Sequence, residues 1–257
     1  MRIVEQPDQE PGENPTSPPA AVRSRPSLQE RVRAFPVTFS LIGITLVVFL
    51  GQVLSDTLLG TDLVLYLGAK YNPAIRSGQW WRFITPVFIH GGLLHFGVNM
   101  YSLYIIGPAV ERFFKSKRFL FVYLLSGIGG VVLSFALSDS LSVGASGAIF
   151  GLIGALGGFF YAHRKLLNVK DQLRHLITVT VLNLTLGLTP GIDNWGHIGG
   201  LVTGAALSWW LGPRLALTRD LDLVRIQDQR PFSKILPRAG TAVVVLLTII
   251  TLLIHYT

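Results

Sequence analysis

Residues 143–161 read VGASGAIFGLIGALGGFFY, and residues 195–211 read WGHIGGLVTGAALSWWL. Each approaches the roughly 20 apolar residues that a helix needs to cross a bilayer. Glycines recur at four-residue spacing, as Gly147/Gly151, Gly154/Gly158 and Gly196/Gly200/Gly204. Small residues four apart let two membrane helices approach backbone to backbone. Ser146 stands at the start of the first stretch and His197 at the start of the second. A serine side chain is short, so only a close approach brings its oxygen within about 3 Å of an imidazole nitrogen on the neighbouring helix.

The rest of the chain agrees with a membrane setting. Of its 257 residues, 50% are apolar and 14% charged, against about 25% charged in soluble domains. Mean hydropathy is +0.50. This excludes a soluble enzyme and predicts an all-α, polytopic membrane bundle. Seven spans are predicted, near 37–59, 93–114, 119–137, 143–161, 176–188, 195–211 and 239–256, the fifth being short. Residues 60–92 hold Trp80, Trp81 and Arg82 and are too polar to span, so they are read as an interfacial element. Residues 1–36 contain seven of the fourteen prolines and no apolar period. They are read as a disordered, solvated tail without the apolar core of a signal peptide. The predicted units are this tail, a membrane domain over 37–213, a basic connection over 214–238 and a last span over 239–257. There is no cysteine, which excludes a disulfide framework, a thiolate metal site and a cysteine nucleophile.

The net charge of +8 raises nucleic acid as a partner, until the charges are placed. With the N-terminus inside, nineteen of the twenty-two basic residues fall on inner segments. The tail carries Arg2, Arg23, Arg25, Arg31 and Arg33. The inner connections carry Arg112, Lys115, Lys117 and Arg118, then Arg164, Lys165, Lys170 and Arg174, then Arg214, Arg219, Arg225, Arg230, Lys234 and Arg238. Only Lys70, Arg76 and Arg82 remain outside. That is the positive-inside pattern, so no nucleic-acid role is needed.

Polar groups within spans are costly and mark function by default. His95, Asn99, Ser146 and His197 all lie near the outer ends of spans that run inward. Each alone has a bland explanation: membrane serines bond their own helix carbonyls, and histidines at helix ends are interfacial. Four at one depth, on helices built for close packing, make a catalytic constellation. Glu111 and Arg112, at the inner end of the second span, read as a positional anchor. Asp193, four residues before His197, reads as a loop or helix-cap carboxylate, so no third catalytic acid is found. Position 148 is Ala, so Ser146 does not sit in the Gly-x-Ser-x-Gly elbow of soluble hydrolases.

These residues resemble the rhomboid intramembrane serine proteases. The likeness rests on Gly144-Ala-Ser146-Gly147-Ala-Ile-Phe150-Gly151, on His197-Ile-Gly-Gly200-Leu-Val-Thr-Gly204, on His95-x-x-x-Asn99, on His90 and on Trp81-Arg82, across roughly 37–211. The span at 239–257 resembles the six-plus-one members. The resemblance implies a dyad with Ser146 as nucleophile and His197 as general base. It implies an oxyanion site made by the Ser146 N–H with His95 and Asn99. Phe150, where some relatives carry tyrosine, is expected to stack on His197, and His90 to hold the outer loop. The implied partners are transmembrane protein substrates, cut near their outer ends, and the lipid bilayer itself. The expected location is the bacterial plasma membrane, with a cytoplasmic N-terminus and a site open to the outer face. The short fifth span, with Asn183, Gly187 and Pro190, is the expected side gate. No cofactor and no metal are implied: His90, His95 and His197 have no ligand spacing, and the HExxH signature is absent. A catalytically silent escort of membrane clients is the second reading. A transporter is the third, without inverted repeats or a buried acid to support it.

Overall fold

The computed structural model describes residues 26–220 and 223–256. Its helices are α1 (Leu28–Ala34), α2 (Pro36–Leu59), α3 (Leu63–Gly68), α4 (Asn72–Arg76), α5 (Leu93–Leu137), α6 (Ser146–His163), α7 (Lys170–Leu186), α8 (Asn194–Leu211) and α9 (Phe232–Tyr256). Short 3-10 turns at Trp80–Phe83 and Thr85–Phe88 join α4 to α5, and strands β1 (Leu215–Asp220) and β2 (Leu223–Asp228) form an antiparallel hairpin. The fold is a helical membrane bundle. By length and composition α2, α5, α6 and α9 can each cross a bilayer. At 45 residues α5 is two spans in one. It bends at Lys115 (φ 65, ψ 157), within the break expected between the second and third spans. α7 and α8 do not reach the same threshold: α7 is 17 residues long and begins with Lys170 and Asp171, and α8 is rich in glycine.

The bundle is built around α6, whose residues are buried over most of its length. Its glycines meet the glycines of α8. A Cβ on Gly200 would collide with the Gly147 carbonyl, and one on Gly204 with the Gly151 carbonyl. The second half of α5 joins them. A Cβ on Gly199 would stand 2.7 Å from the Gly129 carbonyl oxygen, and one on Gly130 would stand 2.6 Å from that of Gly196. Close approach therefore runs through three helices, where the sequence pattern singled out two.

Glu111 is the anchor expected of it. Buried on α5, its carboxylate accepts the Val37 and Thr38 N–H groups (3.1 and 2.9 Å) and the Thr38 and Ser116 hydroxyls (2.7 Å each). A carboxylate at the start of α2 satisfies donors that no helical carbonyl can reach and complements the helix dipole.

Three expectations need correction. Residues 26–36 are not disordered: Ser27 and Glu30 form a capping box that starts α1, and Arg31 bonds the Tyr104 hydroxyl at 2.5 Å. Residues 1–25 of the expected tail lie outside the described residues. The basic connection over 214–238 carries ordered structure. It folds as the hairpin, tied by Arg118 to Asp228 (2.6 Å) and by the Leu215 N–H to His163 Nε2 (2.9 Å). It then enters α9 at Phe232, earlier than the expected 239, with Pro237 inside the helix at the cost of one helical hydrogen bond. Finally, α7 starts at Lys170 instead of 176, and residues 143–145 precede α6 as loop.

Gly200→Val should unfold the bundle more readily, since overpacking costs about 1–3 kcal/mol and the obstacle here is backbone. Gly157 has nothing within 4 Å of an added Cβ. Gly157→Ala should leave the thermal midpoint in detergent unchanged or raise it, because a helix-interior glycine costs roughly 0.5–1 kcal/mol relative to alanine. Equal midpoints for the two variants would reject the packing argument.

Candidate active site

Two helix starts lie side by side. Gly144 (φ +124) turns the chain into α6, and the Ala145 carbonyl accepts its first helical bond from Ile149. The N–H groups of Ser146, Gly147 and Ala148 thus fall in the first turn, where no upstream helical carbonyl serves them. Asp193 caps α8, accepting the Gly196 N–H at 2.9 Å through one oxygen and the Ser142 hydroxyl at 2.6 Å through the other. Its role is therefore the helix cap expected of it, with an added tie to the loop before Ser146. A Cβ on Gly147 would stand 3.2 Å from the Gly196 carbonyl oxygen. At that closeness Ser146 Oγ reaches His197 Nε2, 2.9 Å away.

His197 is held by a ring and not by an acid. Phe150 stacks on the imidazole with centroids 4.4 Å apart and planes 12° from parallel. His197 Nδ1 is buried without a hydrogen-bond partner among the described residues. For Nε2 to accept the serine proton, Nδ1 must carry the ring's own hydrogen.

His95 belongs to the same cluster. The Gly91 N–H donates to its Nδ1 at 3.2 Å, which leaves the proton on Nε2 and makes that atom a donor. A Cβ on Gly144 would stand 2.8 Å from His95 Nε2 and 3.6 Å from Ser146 Oγ, so donor and hydroxyl flank one glycine. Asn99 is buried one turn on, its amide donating to the His95 carbonyl at 2.9 Å. It makes no bond to Ser146. A carboxamide has a second N–H to offer.

The expected interfacial segment proves to be a folded brace. His90 is buried and accepts the Ala145 N–H at 3.4 Å, immediately before Ser146. Burial first, then the neighbouring His95 ring, push His90 down to about 4 from 6.5, against the pull of the Phe88 backbone. It is therefore a neutral acceptor at ordinary pH. The Gln52 amide clasps the His90 backbone in both directions at 2.9 Å. Lys70, fully buried, donates to the carbonyls of Ser138 (2.5 Å) and Ser140 (2.9 Å), and its backbone pairs with Ser142. Burial lowers the Lys70 ammonium from its ordinary value, while Asp193 and Asp139 act to raise it. Arg82 donates to the Ala69 and Tyr66 carbonyls, and the Trp81 indole to that of Leu67. Gln52 and Lys70 were missed in the sequence. Gln52 left one signal, a carboxamide inside an apolar span.

The Rhomboid domain family matches residues 77–214. Rhomboid protease GluP of Bacillus subtilis (strain 168) is 39% identical over 168 residues, which is 65% of this chain and 33% of that protein. RHOMBOID-like protein 5 of Arabidopsis thaliana is 40% identical over 150 residues, 56% of this chain and 48% of that protein. Putative rhomboid protease YdcA of Bacillus subtilis (strain 168) is 32% identical over 188 residues, 71% of this chain and 92% of that protein. The chain thus spans a third to a half of the first two relatives and nearly all of the third.

Gly144→Ala should abolish reactivity of Ser146 toward a fluorophosphonate, because φ +124 strains any side chain and the new methyl meets His95. Full labelling would show that this glycine does not shape the site. A histidine held neutral by the fold takes up a proton more readily once unfolded. Stability should therefore fall as pH drops from about 6.5 toward about 4, and level off below. Thermal midpoints across that window should decline less in His90→Gln, whose carboxamide oxygen can accept the Ala145 N–H without titrating. An equal decline in both proteins would reject His90 as a source of the effect.

Proposed function

The chain belongs to the rhomboid family, and from that premise we propose that it is an intramembrane serine protease acting through Ser146 and His197. The observation that carries the proposal is the 2.9 Å approach of Ser146 Oγ to His197 Nε2. In the proposed reaction, His197 Nε2 takes the hydroxyl proton as Oγ attacks the scissile carbonyl carbon. The oxyanion is stabilised by the Ser146 N–H at the positive end of α6, by the His95 Nε2–H and by the second Asn99 N–H. The imidazolium then gives its proton to the departing amine as the C–N bond breaks. Water, deprotonated by His197, hydrolyses the acyl-serine and restores the hydroxyl. A dyad with no orienting acid is a workable variant of the triad, and Phe150 supports it by holding the ring plane.

The substrates are transmembrane segments of other proteins, cut near their outer ends, where helix-breaking residues expose the carbonyl. Water must reach the site, so the dyad opens to the outer face. The basic asymmetry supports a cytoplasmic N-terminus and an orientation typical of a bacterial inner-membrane protein. A cavity of about 670 Å³ between the first half of α5, α6 and α7, lined by Tyr101, Ile105, Ile153, Leu156 and Val179, supports sideways entry beside α7. The second reading, a silent escort of membrane clients, shares the fold and lacks only the turnover.

Detergent-purified protein should cleave a transmembrane model substrate. Ser146→Ala and His197→Ala should both stop cleavage, and a fluorophosphonate should label Ser146 in wild type while labelling nearly vanishes in His197→Ala. Wild-type turnover in folded Ser146→Ala would overturn the protease reading and put the escort first. Asn99→Ala should lower turnover by about 10²–10³ while the protein still folds. Unchanged turnover would leave Asn99 a structural part. Reporters fused before α1 and after α9 should respond on opposite sides of the membrane, and a shared side would reject the seven-span topology.

A further inference from the structure

The end of α8 remote from His197 carries a cluster of arginines that the proposed chemistry does not use. Trp209 and Trp210 are exposed there, at 64% and 37%. Indoles at a helix end mark headgroup depth in a bilayer. Two guanidiniums converge on the Trp209 carbonyl, Arg214 Nη2 at 3.0 Å and Arg230 Nη1 at 3.4 Å. The Arg214 guanidinium also lies over the Trp209 ring, 4.6 Å from its centroid.

One carboxylate faces this cluster among the described residues, and it is saturated. Asp228 Oδ1 accepts the Arg214 and Arg230 backbone N–H groups at 2.9 and 3.0 Å, and Oδ2 accepts buried Arg118 at 2.6 Å. Arg118 Nε and Nη2 find no partner among the described residues. Burial first, then the nearby charges of Arg214 and Arg238, lower the Arg230 guanidinium from its usual range. Of these arginines Arg118 alone reaches the carboxylate through its guanidinium, and Arg214 and Arg230 meet it through backbone N–H groups. A guanidinium offers five N–H donors, and Arg214 and Arg230 each direct one side-chain donor to the Trp209 carbonyl.

We propose that Arg214, Arg230 and Arg238 bind the phosphate of an anionic phospholipid headgroup, with its acyl chain along the exposed Val202–Trp209 face of α8. Val202 and Trp209 are exposed at 61% and 64% and, seven residues apart, share one side of the helix. They lead from the arginines into the bilayer. A free phosphate would use the charges and leave that apolar strip idle, so the lipid is the better fit. The hairpin then has a purpose: its base holds Arg214 and Arg230 at the membrane surface. The site does not depend on the Ser146 chemistry.

The test compares the protein in nanodiscs of phosphatidylcholine alone and of phosphatidylcholine mixed with phosphatidylglycerol. Native mass spectrometry should detect retained phosphatidylglycerol, and the thermal midpoint should rise in the mixture. Inorganic phosphate added to phosphatidylcholine nanodiscs should raise it little. An arginine near an anionic surface contributes about fivefold in affinity. The combined Arg214→Gln, Arg230→Gln and Arg238→Gln variant should therefore weaken lipid retention on the order of a hundredfold. Arg214 and Arg230 also cap α8, so Arg238→Gln alone provides the clean case, weakening retention about fivefold with an unchanged midpoint in phosphatidylcholine. A control with Lys165, Lys170 and Arg174 changed to Gln should lose less retention than the combined variant. Full retention in Arg238→Gln and in the combined variant, equal loss in the control, or equal stabilisation by inorganic phosphate would each overturn the proposal.

Discussion

Backbone resting on backbone is the contact on which the rest depends. The carbonyls of Gly147 and Gly151 occupy the space where side chains of Gly200 and Gly204 would be, and Gly129 does the same to Gly199. In lipid there is no hydrophobic gain from bringing two apolar helices together, so association relies on close packing and on weak Cα–H···O contacts that only glycine allows. The same closeness underlies the proposed chemistry. A serine oxygen extends little beyond its own backbone, and it meets an imidazole on the next helix because nothing larger than hydrogen separates those helices a turn further down. A single methyl at the interface would move both groups apart before it disturbed either directly.

The second constraint is that both helix starts must be held without being filled. The proposed oxyanion site needs unserved N–H groups, yet buried donors are costly when left alone. The fold meets this by anchoring the loop around the site and leaving the first turn of α6 open. Gly144 donates to the Pro86 carbonyl at 2.8 Å, Ala145 to His90, and the loop before them is fastened by Lys70, Asn72 and Asp193. Each of these residues bonds backbone or a carboxylate, while Asn72 Oδ1 and His90 Nδ1 stay buried without a partner among the described residues. Glu111 applies the same logic at the start of α2, where the N–H groups do need filling.

What could be read from the sequence follows from this division. Spans, glycine faces and the Ser146/His197 pair carry periodic or compositional signals, and the structure brings Ser146, His197 and His95 into one cluster. The partners of the brace carry none. Lys70 meets the carbonyls of Ser138 and Ser140 across some seventy positions of chain, and nothing in a lysine before a tyrosine announces a buried ammonium. The hairpin at 215–228 was hidden by its charge, which suits any inner loop. α1 was hidden by its shortness and by the flanking Pro26 and Pro36, although Ser27 and Glu30 spell a capping box. The third glycine face, Gly127, Gly129 and Gly130, was visible in the letters.

The packing also says where the molecule can open. α5, α6 and α8 interlock through glycine and cannot part without exposing buried backbone. The start of α2 is held by three bonds to Glu111. α7 has no buried residue, and its Thr180, Asn183 and Thr185 side chains bond only carbonyls of α7 itself. Its far end is tied to α8 by the Asn194 amide on the Leu184 carbonyl, 3.0 Å long. Moving α7 therefore costs one such bond and a modest apolar contact, whereas moving any neighbour of Ser146 breaks the site. A segment that must leave its own helix to be cut needs a wall that yields and a catalytic centre that does not. In this fold those two requirements fall on different helices, which is why the proposed path of entry runs between α5 and α7.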